Sequence, residues 1–182
     1  TSEGLLRAGT PQTNVTWMDA VTRNGAVTPR DGLAVDLNAL WYFLLAYVED
    51  LAGEAGDRAA AKSWGALRRK ARGAFLDAFW IPHEDYLADV VHDGRQDRAV
   101  RPNMVIAAAL ELSPLGRPQR AEVVRRAEAE LLTPFGLRTH WEDQDDFTGR
   151  FIAQDTNLKV FSLQPSFAWK TSNDKFAVGV GV

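Results

Sequence analysis

"VDLNALWYFLLAYVEDLAG", residues 35 to 53, decides the fold. Leu37, Leu40, Trp41, Leu44, Val48 and Leu51 recur at steps of three and four, the period of a helix with one apolar stripe. Asp36 stands where an N-cap would, and Gly53 where a helix would stop. Just beyond, Asp57 can cap a second helix whose stripe is Ala61, Trp64, Leu67, Ala71, Phe75 and Ala78, ending before Pro82. Arg58, Lys62, Arg68, Arg69 and Arg72 cover its other sides and read as a solvated face rather than a nucleic-acid surface. Pro102 and Pro118 suit the first turns of a third and a fourth helix. Val105, Ala108, Ala109 and Leu112 point inward from the third, and Ala121, Val124, Ala127 and Leu131 from the fourth. Residues 81 to 101 read as a polar connection holding one apolar-acid stretch, "YLADVV". Two antiparallel helical hairpins result, expected to pack through Leu40, Leu44, Trp64, Phe75, Val105 and Leu131.

Residues 1 to 33 have no period and read as an extended loop region. After Gly136 the period becomes two. Phe161, Leu163, Phe167 and Trp169 alternate with Ser162, Gln164, Ser166 and Ala168. "TSND" (171 to 174) is a turn, and Phe176, Val178, Val180 and Val182 then alternate with small residues. A soluble β-hairpin and a membrane-barrel hairpin share this pattern. Two strands alone leave unpaired edges in a bilayer, so residues 158 to 182 are expected to form a hairpin outside it.

The chain has 182 residues, 46% apolar and 25% charged, enough for one ordinary soluble domain. A net charge of −3 gives no basic field for nucleic acid, and zero cysteines exclude disulfides and thiolate metal sites. With a start at Thr1 and an end inside an apolar alternation at Val182, a fragment is expected. His83, His92 and His140 lack ligand spacing, so no metal is expected, and without a Gly-rich phosphate loop no cofactor is expected either.

The chemistry gathers near the first helix. Glycoside hydrolysis needs two carboxyl groups, one giving a proton to the leaving oxygen. Asp19 adjoins Trp17 in "TWMDA" (16 to 20), and Arg30 offers a planar fork. Asp36 and Asn38 could bond sugar hydroxyls, with Trp41 stacked beneath a ring. Each also has an ordinary explanation: Asp19 as a turn residue, Asp36 as a cap, Trp41 as core.

"EGLLRAG" (3 to 9), "TWMDA", "AVTPRDG" (26 to 32) and "VDLNALWYFLL" (35 to 45) resemble the amylo-α-1,6-glucosidase domain of glycogen debranching enzymes. "LADVV" (87 to 91), "RPNMVIAAAL" (101 to 110) and "LLTPFGLRT" (131 to 139) continue the resemblance in the family's order, over about residues 1 to 138. It implies a mainly α fold, part of an (α/α)6 toroid of the six-hairpin glycosidase type with a C-terminal β-hairpin. It further implies a cytoplasmic protein acting on glycogen or a branched α-glucan oligosaccharide. Asp19 would be the general acid of an inverting enzyme, with Trp17, Arg30, Asp36, Asn38, Trp41 and Arg101 near the glucose pocket.

The family's general base has no counterpart here, so the chain is expected to be inactive alone. From "PFGLRT" (134 to 139) onward, "HWEDQDDFTGRF" and "DKFAVGVGV" resemble outer-membrane barrels of the long-chain fatty-acid transport family. Residues 139 to 182 are accordingly expected to be a separate tail joined in a chimera. A transporter fragment with a membrane partner, and a non-catalytic carbohydrate-binding remnant, are the alternative readings.

Overall fold

The computed structural model describes residues 1–13, 15–23, 25–134, 136–139, 166–170 and 177–181. They fall into two compact units, Thr1–Glu142 and Asp143–Val182. The first is mainly helical. A small hairpin, β1 (Val21–Thr22) and β2 (Gly25–Ala26), precedes β3 (Leu33–Ala34), which runs straight into α1 (Val35–Glu54). After α2 (Arg58–Phe79) come β4 (Trp80–Ile81), β5 (Tyr86–Leu87), β6 (Val90–His92) and β7 (Arg95–Asp97). Then follow α3 (Asn103–Ala109), α4 (Arg117–Leu131), β8 (Leu132–Thr133) and β9 (Gly136–Leu137).

Local chemistry explains the helix ends. Asp57 accepts a hydrogen bond from the Ala60 N–H at 2.9 Å, capping α2 as expected. Gly56, at φ +75°, makes the tight link between α1 and α2. At α4, Pro118 sits in the first turn and the Gln119 side chain accepts from the Gly116 N–H at 3.0 Å. Asp36 differs from expectation. Ala34 takes the cap position without a side-chain bond, and Asp36 lies buried inside the first turn.

Residues 81 to 101 are more than a polar connection. β4 pairs with β5, and β6 pairs with both β3 and β7, all antiparallel. Every residue from Tyr86 to Val91 is buried. A strand covered on both faces shows no alternation, which hides it from a period-two reading.

The core gathers Phe75, Phe79, Ile81, Leu87, Met104, Val123 and Leu131, with the two phenylalanine rings 4.9 Å apart. Phe75 and Leu131 lie in it as expected, and Val105 packs against it half-buried. Leu40, Leu44 and Trp64 do not. They are 46%, 48% and 37% exposed, because α1 turns Val35, Asp36, Asn38, Ala39, Tyr42, Leu45 and Ala46 inward instead, and α2 turns Gly65, Ala71, Phe75 and Phe79. The run "WYFLLAYV" is apolar nearly all round, so its period cannot choose a face.

In the second unit β10 (Ser166–Lys170) pairs antiparallel with β11 (Ala177–Gly181), Phe167 opposite Val180 and Trp169 opposite Val178. These strands fit the expected hairpin; its turn at 171 to 174 and residues 158 to 165 lie outside the described residues. Among the described residues no helix is long and apolar enough to cross a membrane.

Candidate active site

The N-terminal segment is bound to α1 by two predicted site residues. Asn38, fully buried, accepts from the Leu6 N–H at 2.8 Å and donates to the carbonyls of Leu6 (3.0 Å) and Ala34 (2.9 Å). Trp41 donates its indole N–H to the Gly4 carbonyl at 2.9 Å. Ala8 and Gly32 exchange backbone bonds of 2.8 and 2.9 Å, closing the segment onto the one that follows Arg30. Gly32 has φ +115°, and a Cβ there would lie 2.5 Å from the Val91 carbonyl oxygen. Only glycine lets the Arg30 segment come this close to β6.

Arg30 is the hub. Its fork reaches both oxygens of Asp36, at 2.7 and 3.1 Å, and both oxygens of Asp89, at 3.0 and 3.1 Å. Asp89, on the stretch just before β6, also accepts from Asn103 Nδ2 at 2.7 Å and lies 3.1 Å from Arg101 Nε. Two guanidiniums therefore face two carboxylates, and the buried charges sum to zero. That balance makes burying them tolerable, since an unpaired buried ion costs several kcal/mol, on the order of 3–5 when one partner is removed.

The two ends of the cluster are unequal. Burial opposes the charge on Arg30, but the Asp36 hydrogen bonds and the charges of Asp89 and Asp36 outweigh it, so its pKa is raised. For Asp89 burial is the stronger influence and lifts its carboxyl above the ordinary aspartate range, against the pull of Arg30, Asn103 and Arg101. Arg30 draws on two carboxylates, whereas Asp89 shares its cations with Asp36 and Asp97.

Trp17 joins this cluster to the "TWMDA" segment. Its indole N–H donates to Asn103 Oδ1 at 2.7 Å, while the residue as a whole stays 55% exposed. Asp19, two residues on, is exposed to solvent. The predicted residues thus divide. Trp17, Arg30, Asp36 and Arg101 are connected through Asp89 and Asn103, whereas Asn38 and Trp41 grip the N-terminal segment.

Asp89 and Asn103 were not among the residues singled out from the sequence. The available signal was an acid inside "LADVV" and an amide inside "RPNM", both polar interruptions of apolar runs. Such a residue, once buried, needs partners, and here it is the partners that define the site.

Other acids are engaged. Asp31 lies 2.8 Å from His92 Nδ1, and Glu84 3.3 Å from Arg98. A hollow of about 340 Å³ is lined by Asp31, His92 and Asp97 among others. A wider hollow of about 980 Å³, between the N-terminal segment, α2 and β7, contains none of the predicted site residues. The site is therefore placed by its chemistry and not by the larger opening. Among the described residues no group of three His, Asp or Glu side chains is arranged to hold a metal ion.

Residues 1–164 match the family described as amylo-alpha-1,6-glucosidase. The chain belongs to that family. It is also similar to the periplasmic trehalases of Salmonella paratyphi C (strain RKS4594) and Salmonella agona (strain SL483), each 31% identical over 125 residues. A putative periplasmic trehalase of Salmonella typhi matches to the same extent. In each case the match covers 68% of this chain but only 21% of the relative. The chain is therefore glycoside-hydrolase-like and spans about a fifth of these relatives. The amylo-alpha-1,6-glucosidase match runs through residues 134 to 139, where the chimeric join was expected, and the barrel reading of the tail gains no support from it.

Proposed function

We propose that the chain carries the acid-bearing part of an α-1,6-glucosidase site, acting on glycogen or a branched α-glucan oligosaccharide without a cofactor, in the cytoplasm. One observation carries this reading. In a chain of the amylo-alpha-1,6-glucosidase family, the exposed Trp17-Met18-Asp19 segment is tied by Asn103 to a buried, charge-balanced cluster. Asp19 gives its proton to the glycosidic oxygen as the bond to the anomeric carbon breaks. Trp17 offers an aromatic face to the sugar ring. Arg101 lies at the margin of the cluster; Arg30, Asp36, Asn38 and Trp41 build the frame beneath. The four helices are one arc of an (α/α)6 toroid.

An inverting enzyme also needs a base about 6.5–9.5 Å from the acid, with a water between them. Asp31, Asp36, Glu84 and Asp89 are each bound to a cation or histidine, and none is free to activate water. The chain alone is therefore expected to release no glucose at a useful rate. The test incubates purified chain, and an Asp19→Asn variant, with a singly branched limit dextrin and assays free glucose. Release by the parent that the variant lacks would show a complete site and overturn the expected inactivity. A trehalose arm tests the second reading, favoured by the resemblance to periplasmic trehalases.

A further inference from the structure

We infer that Asn103 is a positioning residue for the Asp19 segment, an inference that rests on the reading of Asp19 as the proton donor. Asn103 opens α3 and is fully buried. Its amide is used in both senses. Oδ1 accepts from the Trp17 indole at 2.7 Å, and Nδ2 donates to Asp89 Oδ1 at 2.7 Å and to Met18 Sδ at 3.2 Å. Trp17 and Met18 are the two residues before Asp19, so one side chain holds the approach to the exposed carboxyl.

The chemistry at this position is narrow. The indole requires an acceptor and the Asp89 carboxylate requires a donor, within the reach of one short side chain. Aspartate would supply the acceptor but place a second carboxylate against Asp89. Leucine would fill the space and supply neither. Asp89 is anchored in turn by both bonds from Arg30, which holds Asp36 on α1. The orientation of Trp17 and Met18 is thereby referred to α1 and α3 together, so the proton donor inherits the rigidity of the helices although its own segment is exposed.

The experiment uses the full 182-residue chain, labelled with ¹⁵N, and follows the Trp17 indole N–H resonance, assigned with Trp17→Phe. Asn103→Leu, which removes the acceptor, is expected to speed exchange of that proton with solvent about three- to tenfold, as loss of one hydrogen bond allows, and Asn103→Asp, which keeps an acceptor, to speed it less. Phe75→Leu, a core substitution, should lower the melting temperature without speeding this exchange below the transition. Unchanged exchange in Asn103→Leu, or an equal rise in Phe75→Leu, overturns the inference. A glucose titration read by the shift of the Trp17 indole N–H resonance separates it from the reading beneath it. Weaker glucose binding in Asn103→Leu than in Phe75→Leu supports positioning. Faster exchange with undiminished glucose binding leaves a clamp but removes its link to the sugar. No glucose binding by the parent chain while the proton stays protected counts against the sugar-binding reading itself.

Discussion

The two faces of α1 are held in different ways. Its inner face buries Asp36 and Asn38 beside Val35 and Ala39, while Leu40, Leu44, Tyr47 and Leu51 stand in a row on the outer face, each between 44% and 49% exposed. A carboxylate and an amide are buried alongside Tyr42 and Leu45, while a row of large apolar side chains stays half-exposed. Asp36 is tolerated because Arg30 presents two donors to it, and Asn38 because three backbone groups saturate its amide. The outer leucines carry no such requirement, since scattered apolar exposure is ordinary. The inner face is thus held by specific partners, and the outer one by none among the described residues with comparable geometry. Substitutions on the two faces should separate accordingly.

The largest effect is expected at Arg30. Arg30→Met removes the cation shared by Asp36 and Asp89 and leaves two buried carboxylates with Arg101 alone to compensate. A loss of about 3–5 kcal/mol is expected, read as a fall in the urea midpoint at unchanged slope. Arg30→Lys should recover little of it, because one ammonium cannot engage four carboxylate oxygens in the geometry of a fork. A loss below about 1 kcal/mol in Arg30→Met would mean that the cluster does not hold the inner face.

That cluster also marks the limit of what the sequence showed. Helix positions were legible because apolar spacing and caps such as Asp57 are local signals. The inward face of α1 was not, because "WYFLLAYV" offers apolar residues in every direction, and the choice was made by Arg30, Leu6 and Asp89 from distant positions. Arg30, Asp36 and Arg101 stood out only as members of quoted motifs, and the ion pairs they form gave no sign in the sequence. Asp89 and Asn103 escaped notice because short buried strands and seven-residue helices leave too few residues for a period to appear.

At Asn38 the effect should be smaller. Asn38→Leu keeps the volume roughly but orphans the Leu6 N–H and C=O, which are otherwise held at 2.8 and 3.0 Å. The cost of leaving such groups unpaired is about 1–3 kcal/mol. Hydrogen exchange should show the Leu6 amide opening first, with α1 itself still protected. If protection falls equally along α1, the asparagine supports the helix and not the N-terminal segment.

On the outer face, Leu40→Gln combined with Leu44→Gln should change stability by less than about 1 kcal/mol, since half-exposed positions without polar partners lose little. Solubility should rise as the row of apolar side chains is interrupted. A loss matching that of Arg30→Met would erase the distinction between the two faces.

The smallest effect sharpens the comparison from the charge side, by asking what an ion pair does once it is exposed. Arg7 meets Asp93 at 2.9 Å on the surface, and His92 lies 3.2 Å from the same carboxylate. The Arg7 hydrogen bond, aided by the charge of His92, holds the Asp93 carboxyl below the ordinary aspartate range. A carboxyl that is more acidic in the folded than in the unfolded chain adds stability at pH above its unfolded value. That stability disappears as pH falls through the lower folded value, because both states are then protonated. The parent should therefore melt above Asp93→Asn near neutral pH, and the two curves should converge in acid. Raising the salt should shrink the neutral-pH difference, since solvent and counterions reach both side chains. The buried cluster should not respond in this way: salt cannot enter it, and Asp89, raised by burial, has the opposite linkage, its contribution declining as pH rises through its folded value. A salt-independent difference at Asp93 would place that pair with the buried ions and remove the contrast.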